Sequence, residues 1–187
     1  MWIDGIIQAS FATGNVVNVQ DAGGLVGTAL ELTPGANSII NSFATGRIIG
    51  PEVPSGGLIG LGVASVVNSY WAIDLTGQTQ SAGTGGQGYM VDELQCPQSP
   101  SDPACVAGLY AGWGAELNSS GQPAWSFGTN QQLPGLNLQG VVFRDTDGDA
   151  TLDASDDYPE LWAASSDIDG DGAHDRWKEG CDADCRQ

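Results

Sequence analysis

The chain has 187 residues and a formal net charge of -18, since its 23 acidic side chains meet only five Lys and Arg. A chain this acidic repels phosphate backbones and anionic lipid surfaces, so the composition argues against nucleic acid as a partner and against membrane binding. Charged residues make up 15% of the sequence and 28 residues are glycine, which is typical of a turn-rich β protein and not of a disordered acidic tail.

The N-terminal sequence does not identify the cellular location of the protein. "MWIDGIIQAS" lacks the basic start and the long apolar run of a signal peptide, so the protein is either cytoplasmic or a processed piece of an exported one. No stretch approaches the roughly 20 consecutive apolar residues of a membrane helix, and no membrane insertion is expected.

A short phrase recurs in the first half of the chain. "ASFATG" at residues 9–14 returns as "NSFATG" at 41–46 and begins again as "NSYW" at 68–71, which places the serines 32 and 27 residues apart. Self-similarity at this spacing indicates stacked supersecondary units. Each unit contains brief segments rich in β-branched and aromatic residues and bounded by Gly, Pro or Asn, as short strands are.

This pattern predicts an all-β fold, namely a β-solenoid that resembles a parallel β-helix and has a few irregular coils. One coil cannot bury its own apolar face, so each coil needs a neighbour with the same residues in the same places. Phe11, Phe43 and Tyr70 are then expected to form an internal aromatic ladder. The glycines of the two "GGL" motifs are expected to turn corners that side chains cannot.

The repeated motifs also resemble a known family. "GGLVG" (23–27) and "GGLIG" (56–60), each downstream of "SFATG", resemble the GLUG repeat of large bacterial surface and secreted proteins, including filamentous-haemagglutinin-like adhesins and immunoglobulin-A peptidases. "AGWGAELNSSGQPAWSFGTNQQLPGLN" (111–137) looks like the "W-x-F-G-T … P-x-L" segment that closes such repeat blocks. The resemblance covers residues 1–139 and departs in the third unit, where Trp71 replaces a small residue.

Two sets of side chains in the repeat region have alternative interpretations. Trp113, Trp125 and Phe127 are expected to cap the core, and the alternative is that they line a ligand groove. Thr13 and Thr45 occupy equivalent places in the repeated phrase. Two threonines are too few for a flat ice-binding or sugar-binding face.

The four cysteines favour export from the cytoplasm. Cys96 and Cys105 bracket a Pro- and Ser-rich loop, and Cys181 and Cys185 bracket "DAD". Four cysteines allow three pairings, and we expect the two local disulfides. Zinc is the alternative, although neither spacing is the usual C-x2-C and His174 is the only histidine. Disulfides would place the chain in the extracellular space or on a bacterial cell surface.

The acidic residues concentrate at the C-terminal end. Residues 141–187 hold 14 of the 23 Asp and Glu together with four of the five basic residues. This change in composition predicts a boundary near Gly140, with a repeat domain at 1–139 and an acidic segment at 140–187.

The acidic segment begins with a spacing typical of calcium loops. Calcium binds six to eight oxygens in a flexible arrangement, and alternate residues of a tight loop can direct their side chains to one point. Positions 1, 3, 5, 9 and 12 of this loop are carboxylates, and the carbonyl of position 7 adds an oxygen. The predicted ligands are Asp145, Asp147, Asp149, Thr151, Asp153 and Asp156.

A second loop begins 22 residues further on and offers Asp167, Asp169, Asp171, the Ala173 carbonyl and Asp175. Its position 12 is Lys178, so Glu179 or a neighbouring acid is expected to complete the ligand set. Both loops resemble thrombospondin type 3 repeats and the "DxDGDGxxD" loops of bacterial surface proteins, and their flanks are too short for a paired EF-hand. We expect two or more Ca²⁺ ions in structural sites. Mg²⁺ is disfavoured because it prefers fewer protein ligands, and a solvated acidic linker is the alternative.

The sequence contains no ordinary catalytic arrangement. His174 lies inside a metal loop, which argues against a Ser-His-Asp or Cys-His pair, and no HExxH motif is present. We therefore expect a non-enzymatic, calcium-stabilised structural or adhesive protein that self-assembles end to end into a fibre through its solenoid ends. The alternative is a stalk or ligand-binding module from a large secreted adhesin or peptidase, with a ligand on a cell surface or in the matrix.

Overall fold

The computed structural model describes residues 5–17, 20–30, 33, 35–49, 55–95, 106 and 108–177. Within these ranges the backbone consists mainly of short strands, with two helices of four residues each and two 3-10 turns. The all-β class predicted from the sequence is therefore confirmed, and most of the strand pairs are parallel.

The strands of the repeat region fall into three units. The first unit contains β1 (Ile6–Gln8), β2 (Phe11–Ala12), β3 (Val16–Val17), β4 (Ala22–Gly23) and β5 (Val26–Ala29). The second unit contains β6 (Ser38–Ile40), β7 (Phe43–Ala44), β8 (Ile48–Ile49), β9 (Ser55–Gly56) and β10 (Ile59–Gly62). The third unit contains β11 (Ser65–Val67), β12 (Tyr70–Ala72), α1 (Ile73–Thr76) and β13 (Gln87–Tyr89).

The segment that follows the units is less regular. Its elements are α2 (Val91–Leu94), a 3-10 turn at Trp113–Ala115, β14 (Trp125–Ser126), β15 (Gly135–Leu138), β16 (Val141–Phe143) and a 3-10 turn at Asp153–Ser155. The last three strands form an antiparallel sheet in the order β14-β15-β16. Gln139 and Gly140 connect β15 to β16 with φ angles of 56° and 90°, as a two-residue hairpin turn requires.

The three units lie against one another through parallel pairing at equivalent positions. β6 pairs with β1 and β11, and β7 pairs with β2 and β12. This register aligns Phe11 with Phe43 and Phe43 with Tyr70, and the first two rings stack at a centroid distance of 5.3 Å. The register of the predicted aromatic ladder is therefore confirmed.

The serine of the repeated phrase joins each unit to the next. The backbone N–H of Ser10 donates to Ser42 Oγ at 3.2 Å, and that of Ser42 donates to Ser69 Oγ at 3.1 Å. A serine at this place satisfies a backbone donor between units that the strand ladder leaves without an acceptor. The serine recurs because both junctions between units use the same side-chain acceptor.

A left-handed residue precedes each of these serines. Ala9, Asn41 and Asn68 have φ angles of 47°, 48° and 44°. Asparagine adopts this conformation more readily than alanine, because its short polar side chain can form local hydrogen bonds. Ala9 therefore carries the largest conformational cost of the three.

The glycines of the "GGL" motifs permit close approach between units. A Cβ on Gly57 would lie 2.1 Å from the indole ring of Trp71, and one on Gly24 would lie 2.6 Å from the Cβ of Ala44. Neither glycine has a positive φ. Packing therefore excludes a side chain at these two positions, whereas the sequence predicts that these glycines turn corners.

In the described part of the chain, two apolar clusters hold the units together. One draws residues from all three units and includes Ala29, Leu58 and Trp71. The other is aromatic: Trp113 is fully buried, lies 4.5 Å from Trp125 and stacks on Tyr70 at 6.0 Å between centroids. Because both tryptophans are buried on the aromatic ladder, they cover the core and do not line an open groove.

The predicted disulfides and one predicted calcium ligand stay predictions. Cys96, Cys105, Cys181 and Cys185 lie outside the described residues, and so does Glu179. In the described part of the chain, none of the helices has the length and apolar character that a membrane span needs.

Candidate metal centre

The first acidic loop is buried although it is rich in carboxylates. Asp145, Asp147 and Asp149 are 2%, 5% and 4% exposed. Each of the three offers a carboxylate oxygen within 4.8 Å of the others. Three carboxylates at this distance repel one another strongly when water is excluded, so the arrangement needs a proton or a cation.

The backbone of this loop wraps around the carboxylate of Asp145. Its Oδ1 accepts the N–H groups of Gly148 at 2.8 Å and Asp149 at 3.1 Å, and its Oδ2 accepts the N–H of Ala150 at 2.8 Å. Gly148 and Ala150 both have left-handed φ angles, of 75° and 79°. Alternating conformations of this kind let alternate side chains point into one concavity, as the spacing predicted.

One oxygen in this cluster has no partner among the described residues. Asp147 Oδ1 accepts the N–H of Asp149 at 3.0 Å, whereas Asp147 Oδ2 is buried and no described residue forms a hydrogen bond with it. Burial raises the pKa of Asp147 to about 8, and the carboxylates of Asp149 and Asp145 add to the shift. A buried carboxylate oxygen that lacks a donor and lies beside two further carboxylates fits a bound cation.

The other predicted ligands of the first loop differ in their hydrogen bonds and in their relation to the carboxylate cluster. Asp153 accepts hydrogen bonds from the N–H and the hydroxyl of Thr146, both at 2.7 Å, and so closes the loop. Asp156 is buried, and its pKa is raised first by burial and then by Asp149 and Asp145. Asp156 therefore lies within electrostatic reach of the cluster, while both oxygens of Asp153 are engaged elsewhere. Thr151 donates its N–H to Asp149 Oδ1 at 2.6 Å.

The second acidic loop repeats the same hydrogen bonds on the surface. Asp167 accepts the N–H groups of Gly170 and Gly172 at 2.8 and 3.0 Å, as Asp145 does in the first loop. Asp175 accepts the N–H of Ile168, as Asp153 accepts that of Thr146. The carboxylate oxygens of Asp167, Asp169 and Asp175 lie within 4.8 Å of one another, and this cluster is more exposed than the first.

Asp171 and Ala173 complete the repetition in the second loop. Asp171 Oδ1 accepts the N–H of Ala173 at 2.8 Å, which matches the bond between Asp149 and Thr151. Asp171 lies outside the group of three that share one point. The two loops therefore have the same backbone design in a buried and an exposed setting.

The first loop lies against the repeat units and against the segment that follows them. Thr13 forms a side-chain hydrogen bond with Asp145, and the side chain of Gln95 donates to the carbonyl of Thr146 at 2.9 Å. The sequence alone does not connect Thr13 or Thr45 with metal binding. The recurrence of Thr in each "FATG" phrase was the available indication that something faces this position.

Comparisons with known proteins identify no family. No protein-family model, no curated protein and no solved structure matches this chain. The GLUG and thrombospondin type 3 resemblances therefore remain predictions from short motifs.

Proposed function

We propose that this chain is a non-enzymatic structural or adhesive module of the extracellular space or cell surface, stabilised by calcium at its two acidic loops. The observation that carries the proposal is Asp147 Oδ2, a buried carboxylate oxygen that has no hydrogen-bond partner in the part of the chain that the structure describes. It lies in a cluster with Asp145 and Asp149, where the negative charge requires compensation.

The donor set supports calcium over other cations. The described cluster offers hard carboxylate oxygens, which suit Ca²⁺ and Mg²⁺ better than zinc or copper. Several protein oxygens in a flexible loop suit Ca²⁺, since Mg²⁺ keeps more of its water. Extracellular calcium is abundant enough to fill sites with dissociation constants of about 0.1 to 1 mM.

The parallel register supports a short β-solenoid as the scaffold. β6 and β7 each have parallel partners in both neighbouring units, and Ser10, Ser42 and Ser69 link the units at one position. A stack of this kind gives a stiff body whose surface loops are held at fixed places. Stiffness and metal-held loops suit a structural or adhesive role.

Calorimetry of calcium binding tests this function. Calcium chloride is titrated into the chelator-treated protein, and we expect two binding events with different affinities because one loop is buried and the other exposed. Asp147→Asn should remove the event of the first loop, whereas Asp169→Asn, at the equivalent place, should remove the other. The proposal fails if the unaltered protein binds no calcium at about 2 mM, or if magnesium binds equally well.

A further inference from the structure

The first acidic loop touches all three repeat units. Thr13 of the first unit forms a side-chain hydrogen bond with Asp145. A methyl group placed on Gly148 would lie 3.1 Å from Thr45 Oγ1 in the second unit and 2.8 Å from Leu75 Cδ1 in α1 of the third. The loop therefore crosses successive units at the place where the repeated phrase has its threonine.

The hydroxyl of Thr45 is in an unusual position. Thr45 is 1% exposed, and its Oγ1 has no hydrogen-bond partner within the described ranges. Asp147 Oδ2 likewise has no partner among these residues, and Asp147 directly precedes Gly148, beside which Thr45 lies. Buried polar atoms are nearly always paired, so two unpaired oxygens beside one glycine indicate a missing common partner.

We propose that the threonines of the repeated phrase belong to the first calcium site, with Thr13 positioning Asp145 and Thr45 contributing its hydroxyl oxygen to the shell around the ion. This inference rests on the proposed calcium binding. A neutral hydroxyl oxygen adds a ligand without adding negative charge, which suits a cluster that already holds three buried carboxylates.

The arrangement couples the ion to the repeat units. Asp145, Asp147 and Asp149 come from the acidic segment, whereas Thr13 and Thr45 come from the first and second units. Calcium held by both sets ties the segment to the units and the two units to each other. Binding should therefore protect β2 and β7, which lie next to these threonines, and not only the acidic loop.

Thr45→Val tests the role of the hydroxyl, because valine keeps the shape of threonine and removes the oxygen. The variant is made on an Asp169→Asn background so that only the first loop contributes to the calorimetric titration. We expect calcium affinity to fall about tenfold, because the variant loses one contact about as strong as a hydrogen bond. In chelator the variant should melt at the same or a higher temperature, since it no longer buries an unpaired hydroxyl.

Two further variants separate ligand binding from folding. Thr13→Val should also weaken calcium binding, but it should lower the melting temperature in chelator because it removes the hydrogen bond to Asp145. Thr45→Ser keeps the hydroxyl and should retain most of the affinity. When Asp169 is left unchanged, Thr45→Val should not alter the calcium affinity of the second loop.

Hydrogen exchange gives an independent measurement of the coupling. Calcium should slow exchange at β2 and β7 in the unaltered protein, and Thr45→Val should remove this effect at subsaturating calcium. If Thr45→Val and Thr13→Val bind calcium like the parent protein, the inference is wrong while calcium binding by the loops stands. If the parent protein binds no calcium, the proposed function itself fails.

Discussion

Asp147 is the residue in which burial and charge conflict most strongly. It is 5% exposed, and its pKa of about 8 means that much of the protein holds a proton there at neutral pH when no cation is bound. Below its ordinary pKa of about 3.9 the carboxyl is neutral in the folded and unfolded states alike. Between these two values only the folded state retains the proton, so folding is opposed progressively as pH rises.

We therefore predict opposite effects of pH with and without calcium. In chelator, the melting temperature should fall between about pH 5 and about pH 8, because the raised pKa of Asp147 makes its contribution to stability disappear over this range. In calcium, the melting temperature should rise over the same range, since the ion binds the ionised form. Thermal denaturation followed by tryptophan fluorescence measures both.

Asp147→Asn is the control for this pH dependence. The amide keeps an oxygen for the N–H of Asp149 and removes a buried negative charge. The variant should be more stable than the parent protein in chelator near pH 8, with a smaller dependence on pH, and it should gain less from calcium. A parent protein whose stability in chelator rises between about pH 5 and about pH 8 would contradict the assignment.

The sequence indicated the acidic cluster correctly but not its burial. The alternate spacing of Asp145, Asp147 and Asp149 follows from local loop geometry, which a sequence carries in full. Even Ala150, which departs from the usual glycine, has a φ of 79° next to the 85° of Gly172 in the second loop. The contact of the acidic loop with Thr13 and Thr45 depends on how the C-terminal part of the chain folds back over the units. No local sequence pattern encodes this tertiary arrangement.

At the scale of strands and corners, the repeated phrase predicts parallel neighbours because only in-register stacking brings like residues together. Phe11, Phe43 and Tyr70 align as this argument requires. The third unit differs from the first two at Trp71, and α1 follows directly after β12. Packing of Trp71 against Gly57 governs this region, and a pairwise tertiary contact of this kind is not visible in the repeat.

The corner between β1 and β2 gives a prediction at the same scale. Ala9 lies in register with Asn41, whose buried Oδ1 has no hydrogen-bond partner among the residues that the structure describes. Ala9→Asn should stabilise the protein by about 1 kcal/mol, because asparagine adopts the left-handed conformation more readily and its amide can donate to Asn41. The expected rise in melting temperature is about 2 to 4 °C.

Ala9→Gly is the matched control for this corner. Glycine relieves the left-handed conformation without supplying an amide donor. If the hydrogen bond to Asn41 matters, Ala9→Asn should exceed Ala9→Gly in melting temperature. Equal or lower stability of the asparagine variant would show that the unpaired Oδ1 of Asn41 has another partner in solution.

For the whole molecule, the unpaired edge of the first unit and the net charge act in opposite directions. In the described part of the chain, β1 to β5 each pair with the second unit on one side only. Ser38 donates its N–H to the carbonyl of Gly5, and Ala9 donates its N–H to the carbonyl of Ile40. In this parallel pairing the N–H and C=O groups of Ile7 face the second unit, and those of Ile6 face outward, away from it. An outward-facing strand edge can pair with another chain. The charge of -18 opposes a second copy unless calcium or salt reduces the repulsion.

We predict calcium-dependent, open-ended association, measured by sedimentation velocity at moderate ionic strength. Calcium neutralises part of the charge and holds the loops on the units, so large species should form in calcium and dissociate in chelator. Ile6→Pro removes an outward N–H from the edge strand and should abolish association, whereas Ile6→Thr keeps that donor and should associate like the parent protein. Ile6 is 66% exposed, so neither change disturbs the core. If the parent protein stays monomeric in both solutions, the edge is not a self-assembly surface, and the chain is better described as a stiff, calcium-held segment of a larger surface protein.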